Sequence, residues 1–192
     1  LGRHSVYGQE NLKAAQGLAE KSSVLRKNYG VLALQAGQRV AWIGPFAASG
    51  DILGWWSWQG SQETAVQLGE SMQKVSGDPG HVVISEGCSI DTITEAGLAE
   101  AVKAAAAAEI IVLALGESSE MSGEGGSRSD IRLPEAQLKL VREMKKLGKP
   151  VVAGLFNGRP LDLHDAVSYT PVRAHEATEC LGCRLRVART KG

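Results

Sequence analysis

Residues 109–117, EIIVLALGE, set an unbroken apolar run between two glutamates. A strand with one wet face alternates polar and apolar residues. A continuous run suits a strand covered on both faces, as in a parallel sheet flanked by helices. Three further short runs share this character: RVAWIGPF at 39–46, HVVISEG at 81–87 and PVVAGLF at 150–156. Helical patterns separate them. One runs from about Glu63 to Val75, and an alanine-rich one, capped by Thr94, reaches about Ala108. A third opens at Pro134, where proline costs no hydrogen bond, and runs to about Leu147 before Gly148. Strand and helix alternating at this spacing predict a mostly parallel sheet sandwiched between helices, a three-layer α/β/α fold. Ahead of it, Leu12, Ala15, Leu18, Ala19, Ser22 and Leu25 mark one face of a helix from about Glu10 to Asn28.

The chain therefore divides into a leading segment (1–34), an α/β domain (35–163) and an atypical tail (164–192). The tail lacks any strand-helix rhythm and is read as disordered. Lys+Arg and Asp+Glu both number 21, so the formal net charge is zero. That balance gives no electrostatic case for nucleic acid or an anionic membrane as partner. No apolar run approaches the roughly 20 residues that cross a bilayer, and LGRHSVYGQEN at the start has no apolar core of a leader. Cys88, Cys180 and Cys183 do not make a disulfide scaffold. CLGC is a lone pair of thiols, short of the four ligands of structural zinc. The four histidines are scattered, so no metal and no cofactor is expected.

In open parallel sheets, ligands meet the loops beyond the carboxyl ends of strands. Here those loops are Gly44–Gln62, Glu86–Thr92 and Glu117–Leu133. The first, GDILGWWSWQG, holds three of the four tryptophans. Flat aromatic faces suit the C–H faces of sugars, but large aromatics also plug sheet edges and interfaces. The third, SSEMSGEGGSRSDIRLP, is rich in glycine, serine and carboxylates. Its GEGG lacks the lysine of a phosphate loop and the spacing of a dinucleotide loop. Two readings stay open: a solvated surface loop, or a carboxylate for glycosidic bond cleavage, which needs two such groups flanking the sugar. Glu124, between Gly123 and Gly125, is free to project. Arg128 could orient a carboxylate or bind a hydroxyl, or it could hold the loop by pairing with Asp130.

Several strings occur together and in order: AEKSSVLRKN, RVAWIGPFA, DILGWWSWQG, EGCSID, IIVLALGESSEMSGEGGSRSDIRLPEAQLKLV and GKPVVAGLFNGRPLDL. Over about residues 17–163 the chain resembles the C-terminal α/β-sandwich domain of glycoside hydrolase family 3, as found in bacterial β-glucosidases. The resemblance implies a retaining glycosidase acting on β-glucosides or oligosaccharides. Its nucleophilic aspartate would lie on a (β/α)8 barrel, a partner for which 192 residues leave no room, so the chain alone is expected to be inactive. The resemblance places the general acid/base at Glu124 and makes Glu117 a structural residue. Trp58 becomes the aromatic clamp on the sugar, with Trp55 as second choice, while Arg128 is a substrate-binding candidate from its place in the loop. A non-catalytic carbohydrate-binding or interaction module is the alternative. Full-length relatives are often periplasmic or secreted, while the compartment of this chain is open. After NGRPLDL the family pattern fades. The expected consequence is a sheet short of its last strands, with an open edge for homo-oligomer formation.

Overall fold

The computed structural model describes residues 8–167, apart from 27, 29, 58 and 59. Four strands form one parallel sheet: β1 (Val40–Ile43), β2 (Val82–Ser85), β3 (Ile110–Gly116) and β4 (Val151–Phe156). Their spatial order is β2-β1-β3-β4. The helices are α1 (Gln9–Ser22), α2 (Leu68–Val75), α3 (Glu95–Ala107), α4 (Glu135–Lys146) and α5 (His164–Val167). All four strand expectations hold, with the apolar runs trimmed by one to three residues at their ends. The tail expectation concerns residues that, beyond this short α5, lie outside the described ones.

Alternation along the strands sorts the core into two layers. Ala41, Ile43, Ile111, Leu113 and Leu115 face α3 and α4, where Ala101, Ala105, Leu140 and Met144 complete the layer. Val40, Trp42, Val112 and Ala114 face the other way, against Phe46 and Met72 of the α2 side. Every residue of β3 is buried, which is why its sequence shows no alternation. Small alanines on α3 let that helix lie close to the sheet.

Capping sets the helix limits. The Thr94 hydroxyl accepts from Gly97 N at 3.1 Å and starts α3. At its other end, Lys149 Nζ donates to the carbonyls of Ala105 (3.0 Å) and Ala106 (2.6 Å), a cation on a helix C-terminus. Two boundaries differ from the sequence reading. α1 stops at Ser22 because the Ser22 and Ser23 hydroxyls bond back to Ala19 O, and Asn28 Oδ1 gathers the backbone N–H groups of Gly30, Val31 and Leu32 into a turn. α2 begins at Leu68, since Gln62–Thr64 form a separate 3-10 turn capped by Ser61. α1 buries none of its residues, so Leu12 and Leu18 stay exposed.

The end of β3 is fixed by one side chain. Gln137 of α4 is fully buried; its Oε1 accepts from Gly116 N at 2.8 Å, and its Nε2 donates to Gly116 O (2.8 Å) and Ile90 O (3.1 Å). Three backbone groups lose their partner if that amide goes, each costing about 1–3 kcal/mol when buried. Gln137→Leu should therefore lower stability by at least about 2 kcal/mol in urea unfolding with an unchanged slope. A loss below about 0.5 kcal/mol would show that this amide is dispensable.

Candidate active site

Strand order places β1 and β3 side by side, with β2 beyond one and β4 beyond the other. The chain thus reverses its winding between β1 and β3. Loops leaving such neighbours diverge and open a crevice at the carboxyl ends of the strands. The tryptophan loop leaves β1 and the acidic loop leaves β3.

The acidic loop starts from a buried carboxylate. Glu117 is 4% exposed, follows directly on β3 and donates its backbone N–H to Phe156 O of β4 at 2.8 Å. Its Oε1 accepts from Arg128 Nη1 at 2.7 Å and lies 3.3 Å from Arg159 Nε. Arg128 therefore closes the loop onto its own root. Asp130 takes a different partner, Arg132, whose guanidinium holds its carboxyl well below the ordinary carboxylate range. Arg159, reaching in from the turn after β4, donates through Nη2 to Met121 O and, at 2.6 Å, to Gly126 O. Gly158 packs against Ser122, where a Cβ would come within 2.1 Å of the hydroxyl oxygen.

Two contacts join this loop to the tryptophan loop. Asp51 Oδ2 accepts from Ser119 N at 3.0 Å while its Oδ1 accepts from Gln62 Nε2 at 3.1 Å. One carboxylate thus ties together both limbs of the tryptophan loop and the start of the acidic one. The Trp55 indole lies on Gly123, whose φ of +110° and missing side chain leave room for it. Trp55 is 46% exposed, and Trp56, 70% exposed, stands edge-on to it with ring centroids 5.1 Å apart. Glu124, next to Gly123, is exposed, and no ion pair among the described residues engages it.

The structure therefore brings the loop that carries Glu124 onto Trp55 through Gly123, and engages Arg128 with the buried Glu117. Trp58 lies outside the described residues. Asp51 and Arg159 are the members that sequence reasoning missed. Asp51 carried no signal beyond its place at the head of the tryptophan loop, whereas Arg159 stood inside the distinctive string NGRPLDL. The loop after β2, Glu86–Thr92, forms a cleft of about 500 Å³, lined by Ser85, Glu86, Cys88, Thr94 and Glu100 with Ala48 of the loop after β1. Burial, with Glu86 nearby, pushes the Cys88 thiol up to about 12, which removes it as a nucleophile near neutral pH. No group of three or more potential metal ligands is found among the described residues.

Residues 23–177 match the glycosyl hydrolase family 3 C-terminal domain. The chain belongs to this family. It is 34% identical over 165 residues to a β-xylosidase of Formosa agariphila, an alignment covering 81% of this chain and 22% of that protein. With a periplasmic β-glucosidase of Salmonella typhimurium it shares 33% identity over 173 residues, 79% of this chain and 23% of the relative. The crystal structure of a Listeria innocua β-glucosidase with gluconolactone superposes with a TM-score of 0.79 at 34% identity, over 85% of this chain and 22% of that one. The chain thus spans less than a quarter of the length of these relatives. In this family 3 domain, the two loops in contact belong to the strings that carried the resemblance, DILGWW and LGESSEMSGEGGSR.

A Cβ on Gly123 would sit 2.7 Å from Trp55 Cγ, so the two cannot coexist unmoved. Gly123→Ala should push Trp55 off the loop and raise acrylamide quenching of tryptophan emission. An alanine held at φ +110° is strained as well, so stability should fall by about 1–3 kcal/mol while the domain stays folded. Unaltered quenching would mean that the indole does not rest on Gly123 in solution.

Proposed function

We propose that this domain supplies the general acid/base and an aromatic wall to a retaining β-glucosidase site. Glu124 is the proton donor, and Trp55 with Trp58 forms the wall. The nucleophilic aspartate belongs to a (β/α)8 barrel of the complete enzyme. The observation that carries this reading is the seating of Glu124. It is an exposed carboxyl on a segment held by Arg159, one residue from the glycine on which Trp55 rests, beyond the carboxyl ends of β1 and β3.

The chemistry follows from that placement. A β-glucoside whose ring stacks on the indole presents its glycosidic oxygen toward Glu124. Proton transfer from the carboxyl to that oxygen lets the aglycone leave as an alcohol while the barrel carboxylate attacks the anomeric carbon. The resulting Glu124 carboxylate then takes a proton from water, whose oxygen displaces the enzyme carboxylate and restores both groups. Glu117 does not serve as the second carboxylate: it is buried and engaged by two guanidinium groups. Arg128, held by Glu117, shapes the loop that carries Glu124 and stays the substrate-binding candidate at its root.

The test uses the chain joined to the barrel of the Salmonella relative, with p-nitrophenyl β-glucoside as substrate. The fusion should turn over, and Glu124→Gln should reduce kcat by about 10²–10⁴-fold, the usual range for losing a positioned acid/base. Robust hydrolysis by the chain alone, or by the fusion regardless of Glu124, would overturn the assignment. The exposed tryptophan pair favours one second reading, a sugar-binding module without chemistry. Calorimetric titration of the chain with glucose and cellobiose decides it: binding abolished by Trp58→Ala, with an inactive fusion, would replace the catalytic reading.

A further inference from the structure

We propose that Arg159 is a positioning residue for the acid/base loop, acting as a single guanidinium clasp across the segment that carries Glu124. The proposal rests on the reading of Glu124 as the acid/base. The segment from Ser122 to Ser127, SGEGGS, has no side chain large enough to pack a core. Gly123 and Gly125 both sit at positive φ, +110° and +79°, where glycine is tolerated because it is conformationally free. Such a segment needs an external hold to keep one shape. Internal hydrogen bonds are few: Gly126 N to Gly123 O and Ser127 N to Gly125 O, both at 3.1 Å.

Arg159 provides that hold. Its Nη2 donates to Met121 O, three residues before Glu124, and to Gly126 O, two residues after it. The two carbonyls are pinned to one planar group, which closes Met121–Gly126 into a ring through the guanidinium. The other side of Arg159 is drawn to the end of β3 by charge: Nε lies 3.3 Å from Glu117 Oε1, an ion pair without a hydrogen bond. Gly158 holds the arginine's own turn against Ser122. The position of Glu124 is thereby referred to the ends of β3 and β4. A lysine could balance Glu117, but its compact ammonium lacks the planar fork that reaches the carboxylate and both carbonyls at once.

Two readings of the 192-residue chain test this without substrate. Amide hydrogen exchange follows the loop locally, and 5-fluorotryptophan NMR, with Trp55 assigned through Trp55→Phe, follows the indole resting on Gly123. In Arg159→Ala, exchange at Gly126 and Ser127 should rise about ten-fold or more, while amides of β1 and β3 keep their protection. The Trp55 resonance should shift. Added methylguanidinium should reverse both changes, and Arg159→Lys should recover only part of them. Should Arg159→Ala lose its far-ultraviolet dichroism, Arg159→Lys decides alone: a fold kept intact with faster loop exchange supports the clasp. Loop exchange and a Trp55 resonance unchanged in Arg159→Lys would overturn it, as would changes in Arg159→Ala that methylguanidinium leaves untouched. These readings involve no turnover, so their failure removes the clasp and leaves Glu124 standing. An inactive fusion beside a tightened loop would instead remove the catalytic reading.

Discussion

One buried carboxylate organises the carboxyl-end face of this sheet. Glu117 sits at the end of β3, where leaving water costs an ion several kcal/mol. It remains there because two guanidinium groups converge on the same oxygen. Each of those arginines then reaches toward another part of the acidic loop: Arg128 at its far limb, Arg159 at its waist. The strand end that carries Glu117 is equally fixed. Gln137 satisfies Gly116 on both its N–H and C=O, and Gly116 has φ +145° with Phe156 O where a Cβ would be. A tightly held backbone thus precedes the carboxylate, and a glycine-rich sequence follows it. The charge network transmits the first to the second.

The tryptophan loop joins the same frame by different means. Asp51 is half-buried and accepts from a backbone N–H of the acidic loop and from Gln62 of its own loop. Trp55 adds a packing contact over a glycine. Neither loop has a core of its own, and each uses the other as a wall. This interdependence follows from strand order. Only the loops after β1 and β3 leave neighbouring strands at the reversal of winding, so these two pack on each other, while the loop after β2 lines a cleft with Ala48.

The sheet was legible in the sequence because burial on both faces writes itself into composition. Ile110–Gly116 is apolar at every position, and each position is buried. The cap at Thr94 was legible for the same local reason, since its partner lies three residues away. The limits of α1 and α2 were not, because serine and asparagine side chains competed for the backbone around their ends. At the site, Glu124 emerged from a resemblance and Trp55 from composition. The restraints between them did not. Ser119 meets Asp51 across 68 positions, and Arg159 meets Met121 across 38. Contacts of that range leave no period in the chain. Local proximity even misled: Arg128 stands two residues from Asp130, yet it pairs with Glu117 eleven residues away, while Asp130 pairs with Arg132.

Magnitudes indicate what these restraints are for. Halving the length of a free loop changes its closure cost by only about 0.6 kcal/mol, so a clasp across Met121–Gly126 adds little to the stability of the domain through loop entropy. Geometry responds far more steeply, since misplacing a catalytic group by about 1 Å can cost about 10²-fold in rate. A buried ion triad is likewise a poor way to stabilise a fold, because well-packed apolar residues of similar volume often do as well or better. Glu117, Arg128 and Arg159 make sense as determinants of position: they spend little on stability and fix where a glycine-rich segment presents its one projecting carboxyl.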